Sequence, residues 1–285
     1  MDLRLEGKIV VVTGGSKGIG YACAEAFAAE GARVVLVSRG QANLDAALSR
    51  FPKGRHPPTT LAADLTRADD AERVIEAAER QVGAIDVLVN SAGAARRYAP
   101  SDLNAQAWRD AMEAKFFSTI HPTDAVLKRM LARKRGVIVN IIGMGGKVAN
   151  PVHLPGGAAN AALMLATTGL AAAYGSSGIR ISGINPGGTL TGRVQEGLKA
   201  EAKLTGLDEG ELLARNQAKI PLGRFAKPEE IASVACFLRR IRRVTSPARS
   251  SPWMAARARC PSDERLRLAA VRRGGCAPAN RDETG

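Results

Sequence analysis

The chain predicts a doubly wound α/β fold, with one parallel sheet covered by helices on both faces. Two observations carry this. Over the first 190 residues, short apolar runs alternate with stretches of helical period, the pattern of repeated strand–helix–strand units. The runs are also continuous Val/Ile/Leu rather than alternating, as expected where both sheet faces are buried.

In order, the strands are expected at 9–12, 34–37, 59–62, 87–89, 137–141 and 179–184. Helices fall between them around 18–30, 42–50, 69–82, 104–132 and 157–175. The last of these is rich in Ala, Gly, Leu and Met and should pack closely on several sides. From 191 to 221 the pattern weakens into a charged helical excursion (194–204 and 209–217), where such folds build substrate lids. A further helix opens at Pro228-Glu229-Glu230, proline suiting a first turn. After Leu238 the apolar periodicity ends. Residues 1–238 therefore form one domain and 239–285 an Arg-rich tail.

Composition excludes several classes. No apolar run reaches the roughly 18 residues of a membrane span, and none near the start resembles a signal peptide. A soluble, cytoplasmic protein without a membrane partner is expected. Cys23, Cys236, Cys260 and Cys276, with His56, His121 and His153, are scattered without metal-ligand spacing, so no metal is expected. Cys23 and Cys236 sit in apolar helical stretches and read as buried thiols. The formal net charge of +14 is concentrated in the tail, which holds twelve arginines, no lysine and four acids.

Thr13-Gly14-Gly15-Ser16-Lys17-Gly18-Ile19-Gly20 lies between the first strand and the first helix. The glycines let backbone N–H groups approach a pyrophosphate, and the helix N-terminus adds partial positive charge. With its G-x-x-x-G-x-G spacing this loop resembles that of the short-chain dehydrogenase/reductase (SDR) family, a Rossmann-type fold. Asp64-Leu65 is similar to the family's adenine-contacting position, and Asn90-Ser91-Ala92-Gly93 to its NNAG segment. Asn185-Pro186-Gly187 with Thr189 and Thr191 resembles the loop that holds the nicotinamide carboxamide. The resemblance spans 5 to about 238 and implies a nicotinamide cofactor held by these residues. The second strand ends Val37-Ser38-Arg39, and Lys17 lies in the glycine loop. Two cations and no carboxylate favour NADP(H) over NAD(H), although Arg39 also reads as a solvated surface cation.

The same resemblance implies a Ser, Tyr, Lys and Asn tetrad, but its positions fall elsewhere in residue type. The Ser position is Gly143; thirteen residues on, the Tyr position is Gly156; four further, the Lys position is Asn160, followed by a matching Ala161-Ala162-Leu163. The Asn position, seven residues after Trp108, is Lys115. Asn160 can still hydrogen-bond a ribose hydroxyl. Lys115, His153 and Tyr98 are weak substitutes for the missing acid–base group, each equally readable as a solvated Lys, a loop His and a packing Tyr. Tyr174 lies too far along its helix. Two readings stand: an NADP(H)-dependent oxidoreductase of a small alcohol or ketone, or a non-catalytic cofactor-binding sensor or partner subunit. The helices around 104–132 and 157–175 correspond to those that pair in the family's dimers, so a homodimer or higher oligomer is implied.

The tail reads as a nucleic-acid arm, a solvated segment, or an out-of-frame product. The third reading is favoured and nucleic acid is set aside as a partner. Back-translating 244–255 and reading two bases in permits Asp-Val-Thr-Gly-Ala-Ile-Ile-Pro-Met-Asp-Gly-Gly, similar to the family's ending. Trp253-Met254 force the Asp and Met254-Ala255 force a Gly. On this reading the last sheet strand is missing or disrupted and its neighbour is an open edge. Sequencing the gene across codons 239–256 should reveal that second frame; codons unable to encode the Asp-Gly-Gly ending would refute it.

Overall fold

The computed structural model describes residues 3–93 and 96–240. Six parallel strands form one sheet: β1 (Ile9–Thr13), β2 (Arg33–Ser38), β3 (Thr59–Ala62), β4 (Val87–Asn90), β5 (Gly136–Ile141) and β6 (Ile179–Ile184). Their order is β3-β2-β1-β4-β5-β6, so the winding reverses between β1 and β4. That reversal opens a crevice at the strands' carboxyl ends, where such sheets bind ligands.

Period-two side-chain geometry sorts the apolar strands into two cores. Val10, Val12, Leu36, Val87, Val89 and Val139 meet Cys23, Phe27, Leu44, Ala235 and Cys236 on one face. Val11, Val35, Val37, Leu88 and Ile138 meet Ile75, Val126 and Met130 on the other. Neither face of β1 or β4 retains solvent contact. Each fully buried Val, Leu or Ile contributes about 1.5–3 kcal/mol, so covering both faces is what stabilises β1 and β4, which are buried along their whole length.

The first face carries α1 (Gly18–Ala29), α2 (Gln41–Arg50) and α9 (Pro228–Arg240). The second carries α3 (Ala68–Val82), α5 (Ser118–Ala132) and α6 (Leu154–Tyr174). Arg129 of α5 and Arg133 at its C-cap clip α3 through Glu72 and Glu79 at 2.8–3.3 Å. At the start of α9 the Glu230 carboxylate accepts from the Lys227 N–H at 2.7 Å and pairs with Arg224 at 2.8 Å. The hydrogen bond from Arg224 holds its pKa down at about 2. At the other end, Arg180 of β6 donates to the carbonyls of Leu238 and Arg239, a cation where the helix exposes unpaired acceptors.

Two helices differ from expectation. The stretch 104–132 is not one α-helix: α4 (Ala105–Ala111), capped by Asn104 accepting from the Ala107 N–H, passes into a π-helical turn (Met112–Phe117) before α5. A π-turn holds one extra residue per turn, which a single 3.6-residue period does not register. Helix α6 begins at Leu154, Pro155 serving its first turn, so Gly156 and Gly157 lie inside the helix. Helix α6 packs one face, with Ala159, Leu163 and Met164 buried, but leaves Leu165 77 % exposed. It is not enclosed on several sides. With its flanking turns, 151–177 is long and apolar enough by length and composition to cross a membrane; in this fold it covers the sheet.

The excursion forms α7 (Gly192–Thr205) and α8 (Glu209–Ala218). Its ends are tied where Leu190 N–H bonds Ala226 O (2.8 Å) and Ala226 N–H bonds Gly188 O (3.0 Å). Among the described residues β6 is the edge of the sheet. The tail expected from 239 starts two residues later than that, because Arg239 and Arg240 close α9; the expectations for the last strand and the rest of the tail fall after Arg240, outside the described residues.

Cys23 and Cys236 are free and buried, as expected. Burial, reinforced by Cys236, pushes the Cys23 thiol well above its usual range; burial and then Glu30 push Cys236 up to about 12. Both thiols should therefore stay protonated and unlabelled by iodoacetamide in the native protein even near pH 9, mapped by mass spectrometry, and react once it is denatured.

Candidate functional site

The glycine loop turns sharply from β1 into α1. Gly14 (φ +65°) and Gly18 (φ +55°) occupy left-handed backbone that side-chain-bearing residues disfavour. A Cβ on Gly14 would fall 2.8 Å from the Ala92 nitrogen, and one on Gly20 would overlap the Gly14 carbonyl. The loop is thus pressed against the 91–93 segment after β4, with the N-terminus of α1 facing the crevice. Lys17 stands exposed at that N-terminus and Ile19 packs on the first core.

Around this loop the structure gathers the other expected cofactor residues. Ser16 donates its hydroxyl to Ser38 at 3.1 Å, joining the loop to the end of β2 where Arg39 projects exposed. Thr191 approaches Gly18, its Cγ2 3.5 Å from where a Cβ would stand. Thr189 is buried and donates to Gly187 O at 3.3 Å, beside Pro186. Asp64 is committed to its own turn, accepting from the Thr66 N–H and hydroxyl at 3.1 and 2.8 Å, while Leu65 is buried.

The floor is a chain of buried polar groups across the sheet. Thr13 Oγ1 accepts from the Ser91 and Ala92 N–H groups (3.1 and 3.2 Å) and donates to Asn90 Oδ1 at 3.5 Å. Asn90 Nδ2 donates to Thr123 Oγ1 and to Asn140 Oδ1, and Asn140 Nδ2 to Thr167 Oγ1, each at 2.9 Å. Asn140, Thr123 and Thr167 escaped the sequence reading. Asn140 alone carries a signal, as a polar residue inside the apolar run Val137-Ile138-Val139-Asn140-Ile141. Arg50 also escaped: it donates to Ser16 O at 2.8 Å and stacks 4.1 Å over the Tyr21 ring, bracing the loop from behind.

Beyond β5 the candidate chemical residues converge. Lys115, in the π-turn, reaches Ile142 O with Nζ at 3.4 Å. Gly143 (φ +119°) follows, and its Cβ position lies 3.3 Å from Asn160 Nδ2. Gly145 is equally close to that amide and has His153 Cδ2 at 3.4 Å. Tyr98 joins through its backbone, donating to Val152 O at 3.1 Å. Gly156 is buried in the first turn of α6. Tyr174 closes the far end of α6, away from this cluster.

The residues present fit a dinucleotide. A glycine cradle stands at one end of the crevice. At the other, Asn160 Oδ1 and both side-chain polar atoms of Asn185 are buried without a hydrogen-bond partner, although each residue is at most 3 % exposed. Such atoms demand partners, and ribose hydroxyls or a carboxamide would supply them. Among the described residues no cluster of metal-ligating side chains occurs.

Residues 8–202 match the short chain dehydrogenase family. The chain is 35 % identical over 240 residues to 2-(S)-hydroxypropyl-CoM dehydrogenase 3 of Xanthobacter autotrophicus, covering 84 % of this chain and 91 % of that protein. It is 35 % identical to D-threitol dehydrogenase of Mycolicibacterium smegmatis, covering 83 % and 87 %. Among solved structures, actinorhodin polyketide ketoreductase with NADPH superposes with TM-score 0.78 at 28 % identity, over 82 % of this chain and 90 % of that one. L-sorbose reductase from Gluconobacter frateurii, complexed with NADPH and L-sorbose, gives TM-score 0.78 at 30 % identity, over 84 % and 92 %.

Asn140→Ala removes the middle of the floor, leaving one Asn90 Nδ2 proton without its acceptor and Thr167 Oγ1 without its donor. Urea unfolding should register a loss of about 1–3 kcal/mol, the cost of leaving buried polar groups unpaired.

Proposed function

Because the chain belongs to the short-chain dehydrogenase family, we propose that it is an NADP(H)-binding oxidoreductase acting on a small alcohol or ketone. The observation that carries this reading is the pairing of an intact glycine cradle with the orphaned buried amides of Asn160 and Asn185 at the opposite end of the crevice. The phosphate choice rests on Lys17 and Arg39, two exposed cations flanking the Ser16–Ser38 bridge. NADPH in actinorhodin ketoreductase and L-sorbose reductase supports it, as do the polyol and hydroxyalkyl substrates named for the relatives.

The bound cofactor supplies or accepts hydride. The chain's residues do the rest. The α1 N-terminus and the loop N–H groups hold the pyrophosphate. Asn160 and Asn185 accept and donate at the ribose and carboxamide. The floor from Thr13 to Thr167 fixes the strand ends on which these loops stand. Lys115 and His153 are the groups placed to hold a proton near a substrate oxygen, since Gly143, Gly156 and Asn160 bring no ionisable side chain to the positions of the family's Ser, Tyr and Lys.

Those same substitutions favour a second reading, a cofactor-binding protein without turnover. The outward face of α6, with Leu165, and an apolar groove of about 370 Å³ lined by Ile120, Leu127, Leu170 and Tyr174 are where a second copy would pack under either reading.

Titrating the full chain with NADPH, followed by cofactor fluorescence, should saturate; absence of binding at millimolar cofactor would overturn both readings. Oxidation of NADPH at 340 nm with a panel of small ketones and ketoses then separates them, and His153→Ala should lower any turnover by about 10²–10⁴ if His153 is the acid.

A further inference from the structure

Relative to the family pattern, Lys115 and Asn160 are exchanged: the ammonium stands where an Asn is usual, and the amide where a Lys is usual. The structure shows where this moves the charge. The Lys115 backbone is wedged against the 91–93 loop, its Cα 3.3 Å from the Cβ position of Gly93, with Ala114 O at 2.8 Å. Its ammonium crosses to Ile142 O at 3.4 Å. The strand extension beyond it is stitched to the next loop, Ile142 N–H bonding Ile184 O at 2.8 Å and Met144 N–H bonding Pro186 O at 2.9 Å. Lys115 therefore bridges two walls of the crevice at the Pro186 end. The orphaned Asn160 Oδ1 and Asn185 amide mark the same end as one awaiting polar partners.

We propose that Lys115 makes this site select the reduced form of its cofactor over the oxidised form. The inference rests on the dinucleotide reading above, which puts the nicotinamide at the Pro186 end. An oxidised nicotinamide ring carries a positive charge and a reduced one carries none. An ammonium held nearby repels the first and is indifferent to the second. In a crevice floored by buried side chains, that repulsion is screened less than in water. With turnover, the consequence is a bias toward carbonyl reduction; without it, a protein whose occupancy follows the ratio of reduced to oxidised cofactor.

Calorimetric titration of the full chain with NADPH and with NADP⁺ tests this in the absence of any substrate. Wild type should prefer NADPH. Lys115→Met should reduce that preference on the order of tenfold, chiefly by tightening NADP⁺, whereas Lys115→Arg should keep it. Lys115→Gln provides a second neutral variant should Lys115→Met lose its native circular dichroism. An unchanged ratio in the neutral variants, or an equal loss of both ligands, overturns the proposal while leaving the dinucleotide site standing. Failure of wild type to bind either form overturns the dinucleotide reading and this inference with it.

Discussion

The polar chain Thr13–Asn90–Asn140–Thr167 is the interaction on which the remaining architecture depends. It runs across the carboxyl ends of β1, β4 and β5 into α6, with 2.9 Å hydrogen bonds from Asn90 to Asn140 and from Asn140 to Thr167, and branches into α5 through the 2.9 Å bond from Asn90 to Thr123. Apolar packing alone leaves parallel strands free to slide by a register step, because a Val exchanged for a Val costs little. A buried amide does not slide, since one residue of shift would strand its donors and acceptors. The crevice loops that follow β1, β4 and β5 begin where this chain runs, so their relative placement is set by it.

Most of the fold was legible in the sequence because buried parallel strands are written as continuous apolar runs. All six strands appear where expected, β1, β2, β4 and β5 on runs of Val, Ile and Leu, β3 (Thr-Thr-Leu-Ala) and β6 (Ile-Arg-Ile-Ser-Gly-Ile) on weaker or alternating patterns, and the helix ends differ by a few residues. The misses have separate physical causes. The π-turn within 112–117 adds a residue without disturbing the apolar face on either side, so the pattern reads through it. The early start of α6 follows from Pro155, whose fixed φ suits a first turn, whereas Gly156 and Gly157 argue for a loop when taken alone.

The site was legible in a different way. The glycine loop announces itself because overlap and left-handed backbone leave glycine little alternative at Gly14 and Gly20. Asn140 stood out only as a polar residue in an apolar strand, and Thr123 and Thr167 were silent, since such residues become meaningful only when the fold lays them side by side. The cluster of Lys115, Asn160 and His153 around Gly143 and Gly145 was likewise invisible as a cluster. Its members lie on three separate elements, and a Cβ on Gly143 or Gly145 would stand only 3.3 Å from the Asn160 side chain, the latter also 3.4 Å from that of His153.

The π-turn has a consequence for how this chain can change over time. A residue lost from an ordinary helix rotates everything beyond it by about 100°, turning a buried face outward. Loss of one residue from Met112–Phe117 would instead relax the wide turn to an α-helical one, leaving the flanking faces of α4 and α5 nearly in phase. This short stretch is therefore where a one-residue deletion is tolerated inside a helix. Lys115 sits within it, so the position of this ammonium can be revised by length variation while both cores stay as they are.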